Sequence, residues 1–146
     1  MTIASTKTLL LAEVRALAKS VLVSAGMDTA GSDLIAEIVT CSERDGPRSH
    51  GLRMLPVYAQ SFTSGYANGA AVPKIEKIAP GVLRGDADNG YYQIAAAAAR
   101  EELIALAREN GIAAFTCANC HHLGGLRFDT EPLAEAGLVA LAVINS

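Results

Sequence analysis

The sequence predicts a mixed α/β (α+β) domain in which N-terminal helices precede a sheet built from strand-helix-strand units. Residues 1–64 repeat apolar side chains at helical spacing and carry the first histidine motif. Residues 65–146 contain short apolar runs bounded by glycine turns, separated by helical stretches, and carry the second histidine motif. We therefore expect a helical N-terminal segment followed by an α/β portion.

The composition of the chain limits the classes of protein to which it can belong. The chain has 146 residues, 51% of them hydrophobic, which is enough for one globular core. The formal net charge is -3 and the basic residues are scattered, so neither nucleic acid nor an anionic membrane is an expected partner. No apolar run approaches the roughly 20 residues of a membrane span. An odd number of cysteines without a secretory leader indicates a reducing, cytoplasmic location.

The first half predicts two amphipathic helices. Residues 9–25 form the first, with the apolar positions Leu10, Val14, Leu17, Ala18, Val21 and Leu22, and Gly26 ends it. Asp28 and Thr29 precede the second, which runs through Cys41 with Leu34, Ile35, Ile38 and Val39 on its inner face.

The first histidine motif follows these helices. Residues 43–51 contain glycine and proline and predict a turn, after which residues 52–64 predict a further helix. His50 is then close to a helix N-terminus, where a neutral imidazole could act as acid or base. Arg48 and Arg53 could hold a carboxylate by bidentate hydrogen bonds. The alternative is a surface turn in which Ser49 caps the helix and the arginines are solvated.

The second half predicts the sheet. Residues 74–79 and 82–86 form a hairpin around Pro80-Gly81, and Asp88-Asn89-Gly90 opens the next element. The alanine-rich residues 94–109 predict a helix that packs closely on the sheet.

Two apolar runs at 112–117 and 138–144 predict strands on either side of a helix at 130–136. His121 and His122 then lie on the turn at the carboxyl end of the first of these strands, where α/β folds bind ligands. Adjacent residues seldom face the same way, so we expect only one of the two histidines to point into a cleft. A surface position for both remains the alternative.

Other motifs are weak or absent. Cys117-Ala118-Asn119-Cys120 is formally a CxxC, but a metal site needs more ligands and a redox motif is expected in a thioredoxin-like context, so we interpret both cysteines as small apolar residues and predict no metal. The sequence has no GxGxxG between a strand and a helix, no P-loop and no GxSxG.

Residues 43–58, ERDGPRSHGLRMLPVY, resemble the signature of the malate/L-lactate dehydrogenase family, which is unrelated to the Rossmann-type dehydrogenases. The similarity continues through the alanine-rich helix to NCHHLG at 119–124 and to Asn145-Ser146. The resemblance implies an oxidoreductase that uses NAD or NADP to interconvert a small 2-hydroxy acid and a 2-oxo acid, or to reduce a cyclic imino acid. It also implies the family's fold and a homodimer with the site near the subunit interface.

The resemblance also implies residue roles. His50 is the candidate acid/base, with Ser49, Arg48 and Arg53 as candidate substrate contacts. His122 is the other candidate proton carrier, and the candidate cofactor contacts are Asn119, His122, Asn145 and Ser146.

Members of the family are more than twice as long as this chain, which therefore resembles a truncated, N-terminal part of them. Two expectations follow from that difference. The chain is part of a dehydrogenase, or it is a non-catalytic interaction module whose free strand edge pairs with another chain.

Overall fold

The computed structural model describes residues 7–121 and 124–144, apart from the Arg48 side chain, and it confirms a mixed α/β architecture. The helices are α1 (Leu11–Ser24), α2 (Thr29–Asp45), α3 (Leu55–Thr63), α4 (Tyr92–Asn110) and α5 (Arg127–Glu135). The strands are β1 (Lys74–Ala79), β2 (Val82–Tyr91) and β3 (Ala114–His121). Short 3-10 turns at Arg48–His50 and Leu52–Met54 join α2 to α3.

The first two helices pack on each other as their apolar spacing predicts. Val14, Ala18 and Leu22 of α1 are buried, as are Ile35 and Val39 of α2. Asp28 caps α2 by accepting a hydrogen bond from the Gly31 backbone at 3.0 Å. This helical pair, with α3, forms the larger of two apolar clusters.

The sheet has the order β1-β2-β3. β1 and β2 form the predicted antiparallel hairpin, and β2 pairs with β3 in parallel, with α4 as the crossover. The small side chains Ala95 and Ala99 of α4 are buried, which allows the helix to lie close to the sheet, where Ala99 packs with Leu83. The strand-helix-strand unit of this protein is therefore β2-α4-β3.

The prediction of a strand at residues 138–144 is wrong. This segment pairs with no strand among the described residues, and its larger side chains from Val139 onwards are exposed, with Val139 at 105% and Leu141 at 89%, whereas Leu138, Ala140 and Ala142 are half-buried. A strand that is apolar on every residue needs a paired neighbour and cover on both faces, and the described residues supply neither.

Several boundaries also differ from the prediction. β2 continues five residues past its expected end at Asp86, to Tyr91, because it passes through a bulge. β3 also extends past its predicted end at Cys117, to His121. His121 is therefore in the strand and not on a turn. α3 begins at Leu55 and not at residue 52, because a 3-10 turn precedes it. Among the described residues, no helix is long and apolar enough to span a bilayer.

Candidate active site

The first histidine turn leaves α2 through Gly46, whose φ of +98° ends the helix in the left-handed conformation. The backbone N–H of His50 then donates to the Pro47 carbonyl at 2.9 Å, closing the 3-10 turn at Arg48–His50. His50 is half-buried, whereas Ser49 and Arg53 are exposed. Because α3 begins only at Leu55, His50 lies in its own turn ahead of that helix and not in its first turn.

Glu43 fixes the backbone that follows His50. Its Oε1 accepts a hydrogen bond from the Leu52 backbone N–H at 2.8 Å. A Cβ on Gly51 would lie only 2.0 Å from the same oxygen, so the carboxylate occupies the space that any other residue would need. Glu43 belongs to the predicted turn, but a glutamate eight residues before a glycine carries no signal that would predict this role.

The second histidine segment comes back to the first. A Cβ on Gly125 would lie 3.9 Å from Cδ2 of His50, so the imidazole lies beside the backbone that follows the second segment. The neighbouring Gly124 hydrogen-bonds through its backbone to the Tyr58 hydroxyl of α3. The structure thus brings the two histidine segments to one place, although they are about 70 residues apart in sequence.

His121 is held by a network of its own. Its Nε2 lies 3.0 Å from Asn89 Oδ1, and because an amide oxygen accepts hydrogen bonds, Nε2 carries the proton in this contact. Asn89 in turn donates from Nδ2 to the Tyr66 carbonyl at 3.0 Å. The Tyr66 ring packs on the imidazole with a centroid separation of 4.4 Å. His121 is therefore a positioned residue of the strand end, and His122 lies outside the described residues.

A bulge in β2 builds this network. The strand register moves from Asp86 opposite Ala118 to Gly90 opposite Cys120, which leaves extra residues on β2. Asp88 and Asn89 in the bulge have φ of +53° and +58°, a left-handed conformation that Asn and Asp tolerate well. The prediction that Asp88-Asn89-Gly90 opens the next element is wrong, because this turn signal forms a bulge inside β2.

Asn119, one of the predicted cofactor contacts, faces this bulge. Its Nδ2 donates to Asp86 Oδ1 at 3.0 Å, and the same oxygen accepts from the Asp88 backbone at 2.8 Å. These two hydrogen bonds, the backbone one first, lower the pKa of Asp86. The Asn119 amide is thus engaged in positioning the end of β3.

Three tyrosines line the region between the two histidine segments. Burial raises the pKa of Tyr58 and of Tyr92 to about 12, and it also raises the pKa of Tyr91. The Tyr91 hydroxyl is 2.8 Å from Ser61 Oγ on α3. All three hydroxyls therefore stay protonated at neutral pH and can donate hydrogen bonds.

An ion pair anchors α5 beneath the first turn. Arg127, the first residue of α5, pairs with Asp45, the last residue of α2. Arg44 contacts the same carboxylate at 2.7 Å. The guanidinium of Arg44, followed by that of Arg127, lowers the pKa of Asp45 to about 2. Asp45 is therefore ionised at neutral pH and holds the two helix ends together.

An open groove of about 1470 Å³ runs between α3, α4, β3, α5 and the segment 137–144. Tyr58, Tyr92, Cys117 and His121 contribute to its walls. Tyr92 stacks on Phe115 with ring centroids 6.1 Å apart, so part of the wall is flat and aromatic. The volume exceeds that of typical ligand pockets, which hold roughly 300–1,000 Å³.

The groove is larger than a nicotinamide ring needs, and its apolar, aromatic lining fits the chemistry of such a ring. Arg100 is the one arginine or lysine among its described lining residues, so the phosphates of a dinucleotide would find a single guanidinium there. Asn145 and Ser146, the other predicted cofactor contacts, lie outside the described residues. In the part of the chain that the structure describes, no three His, Cys, Asp or Glu side chains are grouped as metal ligands.

Comparisons with known proteins agree on one family. Residues 10–146 match the family model of malate/L-lactate dehydrogenase. The chain is 41% identical over 134 residues to a Delta(1)-pyrroline-2-carboxylate/Delta(1)-piperideine-2-carboxylate reductase of Pseudomonas putida, covering 92% of this chain and 39% of that protein. It is 37% identical to a (2R)-3-sulfolactate dehydrogenase (NADP(+)) of Chromohalobacter salexigens, covering 93% of this chain and 40% of that protein.

The fold has a counterpart of known structure. Delta1-piperideine-2-carboxylate reductase from Pseudomonas syringae pv. tomato matches with a TM-score of 0.87 and 38% sequence identity. The match covers 90% of this chain and 40% of that protein. The chain therefore spans about two-fifths of the length of the relatives that it matches.

Proposed function

Because the chain belongs to the malate/L-lactate dehydrogenase family, we propose that it is part of an NAD(P)-dependent oxidoreductase acting on a small 2-oxo acid, 2-hydroxy acid or cyclic imino acid. One observation carries the proposal: the His50 ring lies beside Gly125, so the two histidine segments meet at one place. The names of the relatives support the substrate class, since they include reductases of cyclic imino acids and a dehydrogenase of a 2-hydroxy acid.

His50 is the proposed acid/base. It is half-buried, and its turn is fixed by Glu43 and by the Pro47 carbonyl, so the backbone that carries the imidazole is held in place before substrate binds. In the reductive direction it gives a proton to the substrate oxygen or imine nitrogen, and in the oxidative direction it removes that proton. The nicotinamide, when bound, supplies or accepts the hydride.

The substrate carboxylate is assigned to Arg48 and Arg53, with Ser49 beside them. Arg53 is exposed and Ser49 is exposed, so both are accessible to a ligand that approaches the turn. A guanidinium binds a carboxylate through two parallel hydrogen bonds, which orients the reacting carbon as well as holding it. His122 is the second candidate for the proton.

The cofactor is proposed to be NAD or NADP, with Asn119, His122, Asn145 and Ser146 as its contacts. NADP is favoured by the name of the sulfolactate dehydrogenase relative. The apolar groove supports a site for the nicotinamide ring. We also propose a cytoplasmic homodimer, in line with the three free cysteines.

The test is turnover of NADPH or NADH with Δ1-pyrroline-2-carboxylate or with a 2-oxo acid, by the protein that carries this sequence. His50→Gln should lower the rate by roughly 10²- to 10⁴-fold, because it removes the proton carrier. Lys19→Gln is the control: it removes an ion pair with Asp33 between α1 and α2, away from the groove and from the His50 turn, so it should leave the rate nearly unchanged. Equal losses from both variants would contradict the assignment of His50.

A second candidate function is that of an interaction module. The exposed apolar segment 138–144 and the free outer edge of β3 favour it, since both are surfaces that pair with other chains. Failure of the protein to bind either nucleotide, together with self-association, would favour this candidate over the enzyme.

A further inference from the structure

Cys117 and Cys120 share one face of β3, which a regular strand would not allow. Side chains alternate along a strand, so residues three apart point to opposite faces. Asn119 lies between them with φ of +51°, a left-handed conformation that breaks the alternation. Both cysteines consequently line the same groove, both are half-buried, and their thiols interact with each other.

The backbone kink that brings the thiols together is fixed by contacts within the fold. Asn119 is fixed by its hydrogen bond to Asp86, and Cys120 is opposite Gly90 on the far side of the β2 bulge. The Cys120 thiol also approaches the Cys117 carbonyl at 3.9 Å. The two sulfur atoms are therefore held near each other by backbone geometry that does not depend on a ligand.

We propose that Cys117 and Cys120 form a vicinal dithiol that closes to an intramolecular disulfide by exchange with a small-molecule disulfide such as oxidised glutathione. The sequence interpretation of both cysteines as small apolar residues rested on the missing thioredoxin-like context. The structure supplies a different context, in which the left-handed Asn119 turns both thiols into the same groove.

The reaction balances in two exchanges. One cysteine loses its proton, its thiolate attacks a sulfur of oxidised glutathione, and one glutathione thiolate leaves. The other cysteine then loses its proton and attacks the protein sulfur of the mixed disulfide, releasing the second glutathione. The dithiol is oxidised by two electrons with loss of two protons, and the glutathione disulfide is reduced to two thiols.

The order of attack follows from the surroundings of Cys117. Burial, followed by the neighbouring Cys120, raises the pKa of Cys117 to about 12, which makes it the poorer first nucleophile. Cys120 is therefore the expected point of the first exchange, and Cys117 resolves the mixed disulfide.

Cys41 is the internal control. It lies on α2, and its thiol hydrogen-bonds Glu37 Oε1 at 3.4 Å. Burial and this carboxylate raise its pKa. Cys41 and the pair line different cavities, so Cys41 should remain reduced or carry only a mixed disulfide.

The experiment equilibrates the protein with reduced and oxidised glutathione, quenches with acid, alkylates and measures mass. Both cysteines of the pair lie between Arg108 and Arg127, so one tryptic peptide reports them. In the wild type and in Cys41→Ser, that peptide should take up no alkyl group and should be lighter by two hydrogen atoms than the unalkylated dithiol peptide. Cys117→Ser should stop at a glutathione adduct on Cys120.

A dilution series identifies the kind of disulfide without any variant. At equilibrium the ratio of intramolecular disulfide to dithiol is proportional to the oxidised glutathione concentration divided by the square of the reduced one. The ratio of mixed disulfide to free thiol is proportional to the oxidised concentration divided by the reduced one. Diluting both about tenfold at a constant ratio should therefore raise the ratio of oxidised to reduced pair by about tenfold. No change on dilution, or adducts on both cysteines, would overturn the proposal.

Discussion

At the scale of the residue, the Glu43 carboxylate and Gly51 are fitted to each other. The carboxylate takes the space in which a Cβ would lie and at the same time accepts the Leu52 N–H. The turn that carries His50 is thus held from α2, by a side chain seven residues earlier in the sequence than the histidine. A change at Gly51 acts on the histidine through the backbone, with no contact to substrate.

Gly51→Ala should therefore destabilise the protein by about 1–3 kcal/mol, because the new methyl group displaces the carboxylate and leaves the Leu52 N–H without it. Urea unfolding followed by circular dichroism measures the change. Gly125→Ala is the matched control, since a Cβ there meets only His50 Cδ2 at an ordinary 3.9 Å. Equal effects at both glycines would contradict the described geometry.

The His50 and Gly51 positions also show what sequence can and cannot supply at this scale. The residue types in the turn identified His50 as a candidate, because histidine next to glycine and arginine is chemically suggestive. Nothing in the sequence indicated that Glu43 would hold the turn or that Gly125 would lie beside the imidazole, because both contacts depend on how distant elements pack.

At the scale of the element, the β2 bulge sets the position of His121. Asn89 serves it in two ways, through its left-handed backbone and through its amide. These two contributions can be separated by substitution, because glycine keeps the conformation and loses the amide.

Asn89→Ala should cost roughly 1–2 kcal/mol more than Asn89→Gly, because alanine is strained at positive φ and glycine is not. Both variants should release the His121 ring. In NMR spectra, the chemical shifts of its ring protons should then move towards those of a solvent-exposed histidine. Equal stability of the two variants would mean that the bulge does not impose the left-handed conformation.

The contact between α2 and α5 predicts a dependence on pH. The pKa of Asp45 is about 2 in the folded protein against 3.8 for a free aspartate, so folding favours the ionised form. Its contribution to stability is complete above the unfolded pKa and is lost as pH falls from about 4 towards 2. Asp45→Asn should be less stable at neutral pH and should show a smaller loss across that range, in thermal unfolding at several pH values. Parallel curves for both proteins would contradict this.

The helices were easier to predict than the strand ends. α1 and α2 follow from their apolar spacing, and Gly26 follows α1 as predicted, but α2 continues four residues past its predicted end at Cys41, to Asp45, and ends at Gly46. β2 and β3 extend past their predicted ends because a bulge lets them continue together, and the pairing that decides this joins residues that are about 30 apart in sequence. The residue pattern within one β-strand contains no information about the distant strand with which it pairs.

At the scale of the whole molecule, the segment 138–144 stands out because its larger apolar side chains are exposed to solvent. Its apolar sequence predicted a buried strand, and the prediction failed because the described chain offers that strand no cover. Val139, Leu141 and Val143 all extend into solvent. Such a continuous apolar stretch favours association with another surface.

We therefore expect the chain to self-associate with rising concentration in analytical ultracentrifugation. Leu141→Lys should reduce the association, because a charge in the middle of the segment opposes its burial. Leu10→Lys is the control, since Leu10 is also exposed, at 72%, but lies outside the segment. A monomer at all concentrations, or equal effects of the two substitutions, would contradict the expectation.

The parallel pairing of β2 with β3 across α4 has a consequence for the time course of refolding. The β1-β2 hairpin joins neighbours in sequence, whereas the pairing of β2 with β3 closes the chain across the 19 residues of α4, which is entropically more costly. We therefore expect the Asn119–His121 end of β3 to be completed later than the helical pair and the hairpin. Competence to bind a ligand should consequently lag behind the recovery of helical signal when the unfolded protein is diluted from urea.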